Sequence, residues 1–301
     1  MYIFLSSSWR QNARAVPQKQ HTYPRRASDR AGIVRAVQFL RCIFLGGGLI
    51  AVACPAAAFE IMPHRVAYSF EVIGRDSQSG MIDIAGGMSF EWADACDGWA
   101  LDQRYLLRIT NDDGEDLVNQ VSSVNWESKD GRRLRFNTRS EINGEVVEEY
   151  SGDATLDEAG GKGVAHFTIP RDETVSLQAG TRFPTNLTQV LMAAAARGER
   201  NFSGLVFEGG DLEGSVSVTA TILPQRPARH KGVLKPPLGP HPVWPVYTAY
   251  FKPGKHDGTP ETEFFMDIQD NGVVPDFTLN YGGLKLRAHM ERIQMLPPIK
   301  C

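Results

Sequence analysis

Residues 121–150 read VSSVNWESKDGRRLRFNTRSEINGEVVEEY. Three runs, Val121–Lys129, Arg133–Glu141 and Glu145–Tyr150, alternate in polarity with a period of two. That is the signature of extended backbone, whose successive side chains point to opposite faces. The breaks between the runs are Asp130-Gly131 and Asn143-Gly144, dipeptides that accept the positive φ of a tight hairpin turn. Strand, turn and strand again, with no helix-length interval, make an antiparallel meander in which each strand pairs with the one before it.

The same pattern extends both ways. Upstream lie Val66–Ile73, Met81–Trp92 and Gly98–Thr110, with a turn at Asp113-Gly114. Downstream lie Gly163–Thr168, Phe202–Phe207, Ser215–Leu223, Val246–Phe251, Thr262–Ile268, Val273–Tyr281 and Leu284–Gln294, with a turn at Asn271-Gly272. One segment departs from it. Pro184-Thr185 is a helix start, Leu187, Val190, Leu191 and Ala194 keep helical spacing, and Gly198 is a stop. A lone amphipathic helix among a dozen strands covers or plugs one mouth of a curved sheet, either as core or as a gate to a ligand. Pro224–Pro245, rich in Pro and in Lys/Arg and without periodicity, reads as an extended loop inside one continuous domain, 59–301. A boundary between two domains there is the alternative.

The first 58 residues read as an export leader. They hold eight Lys/Arg against one Asp, and Arg30, Arg35 and Arg41 precede the apolar stretch Cys42–Cys54. Ala56-Ala57-Ala58 offers a cleavage site, which makes Phe59 the mature N-terminus. The apolar stretch is short of the ~20 residues that span a bilayer as a helix. A retained N-terminal anchor, lipidation of Cys54 and a true start near Val34 are the alternatives. The expected location is the periplasm. Of the 32 basic and 35 acidic residues of the whole chain, 24 and 34 remain after the leader. A body so acidic, with no basic cluster, argues against nucleic acid as a partner.

Four cysteines occur, and Cys42 and Cys54 leave with the leader. An exported chain keeping only Cys96 and Cys301 is most simply read as carrying one disulfide between them. A reactive thiol or a metal pair is the competing reading, although two cysteines without a nearby His are too few ligands for zinc.

The search for chemistry is mostly negative. The serine-hydrolase elbow, zinc-protease, Walker and dinucleotide-binding motifs are absent after the leader. His230, His241 and His256 could gather on a metal but read as solvated loop residues. The acidic run Asn111–Asp116 lacks the ligand spacing of an EF-hand loop and reads as a hairpin tip. Glu145, Glu148 and Glu149 could supply a hydrolytic carboxylate pair, but Glu148 and Glu149 point to opposite faces of a strand and read as surface residues. The aromatic residues Phe90, Trp92, Trp99, Tyr105, Trp126, Phe136, Trp244 and Tyr281 fall on strands or strand ends. They either fill a core or line a concave face able to take an acyl chain or a hydrophobic peptide.

Several stretches together resemble the EipB family of periplasmic cell-envelope-integrity proteins. They are His64-Arg65-Val66-Ala67-Tyr68, Ile84-Ala85-Gly86-Gly87, Asp94-Ala95-Cys96-Asp97-Gly98-Trp99 and Trp126-Glu127 followed by Asp130-Gly131 and Phe136. Gly180-Thr181-Arg182-Phe183-Pro184-Thr185, Trp244-Pro245-Val246, Tyr250-Phe251, Glu263, Asn271-Gly272-Val273 and Leu296-Pro297-Pro298 with Cys301 complete the set. The resemblance implies a mainly β fold: a long antiparallel sheet curled into an open, barrel-like β-spiral with one or a few short helices at its edge. It also implies a Cys96–Cys301 disulfide and a role in the Gram-negative envelope of alphaproteobacteria with no assigned catalytic residue; no metal or cofactor is expected. A tetratricopeptide-repeat protein is the partner it suggests, and likeness to lipoprotein carriers adds a lipid or lipoprotein as a possible ligand. The expected function is therefore a non-enzymatic periplasmic scaffold. Carriage of an acyl chain in the concave face is the alternative, and hydrolysis of envelope polymers is a third reading.

Overall fold

The computed structural model describes residues 59, 61–75, 81–111, 114–227, 241–253, 258–281 and 283–301. Its strands are His64–Arg75 (β1), Met81–Asp94 (β2), Gly98–Asn111 (β3), Asp116–Ser128 (β4), Arg133–Ile142 (β5), Glu145–Leu156 (β6), Gly163–Ile169 (β7) and Glu173–Leu177 (β8). They continue as Thr181–Arg182 (β9), Asn201–Val206 (β10), Val216–Ile222 (β11), Val243–Phe251 (β12), Thr262–Gln269 (β13), Asp276–Tyr281 (β14) and Leu284–Met295 (β15). One helix, Pro184–Ala196 (α1), stands between β9 and β10. The hairpin chemistry works as read: Asn143 and Gly144 both take positive φ, 52° and 81°, so the backbone twist of the turn matches that of the strands it joins.

All 15 strands form one sheet, in the order β8-β7-β6-β5-β4-β3-β2-β1-β15-β14-β13-β12-β11-β10-β9. The chain thus begins in the middle of the sheet, meanders out to β8, crosses to β9, and meanders back until β15 pairs with β1, Val66 opposite Ile293. Every ladder is antiparallel except the two-residue β9–β10 pairing. The sheet curls into a nearly closed barrel, with β8 and β9 as its two ends.

Side chains, more than backbone, close that seam. At the β9 end Thr181 and Ser215 share a hydroxyl hydrogen bond of 2.7 Å, and the Gly180 N–H donates to the Gly160 carbonyl of the β6–β7 turn at 2.8 Å. Behind them Phe136 and Phe167 from one end of the sheet meet Phe207 from the other, with edge-on centroid distances of 5.0, 5.6 and 6.2 Å. Leu134, Leu156, Leu177 and Phe183 complete this second apolar cluster. Gly209 is required here: its φ is +74°, and a Cβ would stand 2.2 Å from the Phe136 ring.

The main core fills the barrel, and α1 plugs it. Leu187, Leu191, Met192, Ala194 and Ala195 of the helix are buried in the same apolar cluster as strand residues such as Leu107, Val246, Phe264 and Ala288. Each fully buried large side chain contributes roughly 1.5–3 kcal/mol. Three strand segments differ from the sequence reading. β8 and β9 fall where no strand was expected, and β12 begins at Val243, inside the expected loop. Val243 is completely buried and exchanges backbone hydrogen bonds with Arg226, while the Arg226 guanidinium donates to both Asp267 carboxylate oxygens at 2.9 and 2.7 Å. The prolines at 242 and 245 hid this strand. The rest of the expected loop, 228–240, lies outside the described residues, as does the 1–58 leader.

Candidate functional site

Neighbouring strands in register place directly opposed side chains on the same face. One such row crosses four strands as Trp92–Leu101–Asn125–Phe136. The next runs Phe90–Gln103–Ser123–Thr138–Tyr150, and a third runs Met88–Tyr105–Val121–Ser140–Glu148. All face the interior. The inward positions of β4 are therefore Leu117, Asn119, Val121, Ser123, Asn125 and Glu127, four of the six polar, and Thr138 and Ser140 continue the polar strip on β5. The concave wall is aromatic on β2 and polar on β4 and β5, rather than aromatic throughout.

Glu127 is the most buried carboxylate of that wall, with 1% of its surface exposed. Its Oε2 accepts from the Thr185 N–H at 2.7 Å, and Oε1 accepts from the Asn186 N–H at 2.8 Å. These are orphan donors of the first turn of α1, and the helix's own N-cap residue, Phe183, contributes no side-chain cap. A strand residue 58 positions upstream thus caps the helix and fixes it to β4. Burial pushes the Glu127 carboxyl up to about 7, while the hydrogen bonds from Thr185 and Asn186 partly oppose that rise. No local pattern in the sequence marked Glu127 for this role, since alternation does not tell which face is inside.

A cavity of about 50 Å³ lies between α1 and the sheet. Phe90, Trp92, Leu101, Leu187, Val206 and Tyr250 supply its apolar walls, and Gln103, Ser123, Asn125, Thr188 and Glu208 its polar ones. Ser123 and Thr138 hydrogen-bond each other at 3.1 Å. Burial pushes the Tyr250 phenol far up, and the negative charge of Glu208 adds to it. Deeper in the barrel, burial does the same to Tyr105, reinforced by Tyr281 and Glu148. Glu148, expected at the surface, therefore turns one carboxylate oxygen into the interior, whereas Glu149 pairs outside with Arg139 at 3.2 Å. No hydrolytic pair of carboxylates forms from them.

Of the aromatic residues singled out, Phe90, Trp92, Trp99, Tyr105, Phe136 and Tyr281 are buried. Trp126 faces outward beneath Arg133 and Arg135, at 5.5 and 5.4 Å from its ring. The Cys96 and Cys301 sulfurs lie at bonding distance, 2.16 Å, with Cα atoms 5.7 Å apart. They tie the end of the chain to the β2–β3 turn. Among the described residues no group of three or more His, Cys, Asp and Glu side chains is placed to hold a metal ion. His241 pairs with Asp270 at 2.9 Å, while His230, His256 and Asp112-Asp113 of the acidic run lie outside the described residues. Among the described residues no helix is long and apolar enough to cross a membrane.

Comparison with known proteins agrees with this architecture. The EipB-like family model matches residues 55–297. The cell envelope integrity protein EipB of Brucella abortus (strain 2308) is 27% identical over 257 residues, covering 84% of this chain and 91% of that protein. The crystal structure of a beta-barrel-like protein of a domain of unknown function, DUF1849, also from Brucella abortus, superimposes with a TM-score of 0.74 at 26% identity. That match covers 79% of this chain and all of the other.

Proposed function

The chain belongs to the EipB-like family, and from that premise we propose that it serves cell-envelope integrity in the periplasm as a non-enzymatic scaffold, engaging a protein partner through the outside of its barrel. A relative named for cell envelope integrity supports the role. The observation that carries the scaffold reading is the packed interior. The cavity beneath α1 measures about 50 Å³, whereas pockets for drug-sized ligands run to roughly 300–1,000 Å³. A lipid or lipoprotein acyl chain needs room of that larger order, so the carrier reading has less to stand on. The outer face offers apolar contacts instead, including Tyr247 and Phe265, directly opposed on β12 and β13 and each more than a third exposed. A tetratricopeptide-repeat protein is the partner class implied by the family resemblance.

Native mass spectrometry of the protein released from periplasm without detergent tests this reading. The expected spectrum shows a chain starting near Phe59, two hydrogens lighter than the reduced mass, and without an adduct. A discrete adduct of lipid mass would overturn the scaffold in favour of the carrier.

A further inference from the structure

The interior wall that faces α1 carries polar atoms that the protein itself does not satisfy. The Trp92 indole N–H and the Asn125 Oδ1 are both buried without a hydrogen-bond partner, and deeper along β4 so are both amide atoms of Asn119. Trp92 is only 2% exposed. Buried polar groups are normally paired, and unpaired ones gather where something else completes them. Trp92 and Asn125 lie in one row, two strands apart, and both line the cavity beneath α1.

The cavity selects by size and by chemistry. At roughly 10–15 Å³ for each water-sized group, 50 Å³ takes about four non-hydrogen atoms. A sugar ring or an acyl chain is too large to enter whole. An anion is repelled by the Glu208 carboxylate, and a cation would leave the Trp92 donor unanswered. The remaining requirement is one acceptor for Trp92, one donor for Asn125 and an apolar end for Leu187 and Val206. A secondary amide bearing a methyl group meets all three. A peptide unit is also a secondary amide, but it continues in both directions and cannot be buried end-on in four atoms of space.

We propose that this cavity is a subsite for the acetamido group of an N-acetylated amino sugar at the end of a glycan. The acetamido carbonyl accepts from Trp92 Nε1–H, its N–H donates to Asn125 Oδ1, and its methyl lies against Leu187 and Val206. The sugar ring stays at the mouth, against the partly exposed lining residues Leu101, Pro184 and Thr188. The subsite is independent of the scaffold reading, since it uses the interior and not the outer face.

Saturation-transfer NMR on the mature, oxidised protein tests it, with N-acetylglucosamine, glucose, glucosamine and N-acetylalanine methylamide each supplied at millimolar concentration. The expected result is saturation concentrated on the acetamido methyl of N-acetylglucosamine, with glucose and glucosamine silent. Trp92→Phe and Asn125→Leu should each weaken that binding by roughly three- to tenfold, the worth of one hydrogen bond. Leu106→Ala on the outer face should leave it unchanged. Thermal melting checks that the variants fold, and Asn125→Leu carries the test alone if Trp92→Phe does not. Silence from N-acetylglucosamine, or equal saturation of glucose or glucosamine, overturns the subsite. Stronger binding of the methylamide overturns the sugar and makes the ligand a peptide.

Discussion

Replacing Glu127 with Gln should change how stability depends on pH, in a direction opposite to common expectation for a carboxylate. Burial raises this carboxyl from its ordinary 4.5 to about 7. The folded protein therefore binds the proton more tightly than the unfolded chain between those values, and stability falls as pH rises through that window. The span is about 2.5 units, and at about 1.36 kcal/mol per unit the group contributes about 3 kcal/mol below pH 4.5 that is gone above pH 7. Other groups titrate nearby. Burial pulls His64 down, so it takes stability away as pH falls below its ordinary value, and it partly masks Glu127 in the unmodified protein. The difference between the parent and Glu127→Gln cancels such groups. Thermal or denaturant unfolding followed by circular dichroism from pH 4.5 to 8.5 measures it. The parent's advantage over the variant should shrink by about 3 kcal/mol across the window and be flat on either side. A difference that does not vary with pH, or that grows as pH rises, would falsify the account of a buried carboxyl holding the helix.

Other substitutions probe the closure of the barrel. Cys96→Ser or Cys301→Ser opens a loop of 205 residues, for which the chain-entropy estimate is at most about 5 kcal/mol; identical melting of the oxidised parent and either variant would remove the bridge as a fastener. Gly209→Ala should destabilise by several kcal/mol, because both φ and the Phe136 ring oppose a Cβ. Gly144→Ala, where nothing lies within 4 Å, should cost only about 1 kcal/mol, so equal denaturation midpoints for the two would sink the steric argument. Phe167→Ala at the seam should cost roughly 3–5 kcal/mol and deprotect the β8 amides to hydrogen exchange ahead of those of β1; uniform deprotection would mean the seam is not the weak edge.

The sequence's alternation was enough to find most strands and the helix, but it did not say which face is inside. On β4 the outward set includes Val118, Val124 and Trp126, and the inward set holds Asn119, Ser123, Asn125 and Glu127 beside Leu117 and Val121. A rule that puts apolar residues inward finds three on one face and two on the other, and cannot orient this strand. Its inner face is decided by α1, remote in sequence, and by the aromatic residues Phe90 and Trp92 two strands away in the same wall. The same remoteness hid the capping of α1, since Glu127 and Thr185 carry no local pattern that joins them. β8 escaped because five residues after Pro170-Arg171-Asp172 are too few for periodicity to register. β12 was cut short by proline, which a strand tolerates near its start.

The sheet's order has a consequence for how the protein is assembled. β1 is made first and β15 last, yet they are neighbours, with Val66 opposite Ile293. Hairpins from β1 to β8 can form as the chain emerges, because each pairs with its predecessor. β1 nevertheless keeps one bare edge until residues beyond 284 arrive. Contacts this distant in sequence are slow to form, and an open edge is an invitation to pair with a neighbouring molecule. Folding thus has a late, obligatory step, and a chain truncated before β15 presents an unpaired β1 edge at what would be the middle of the complete sheet.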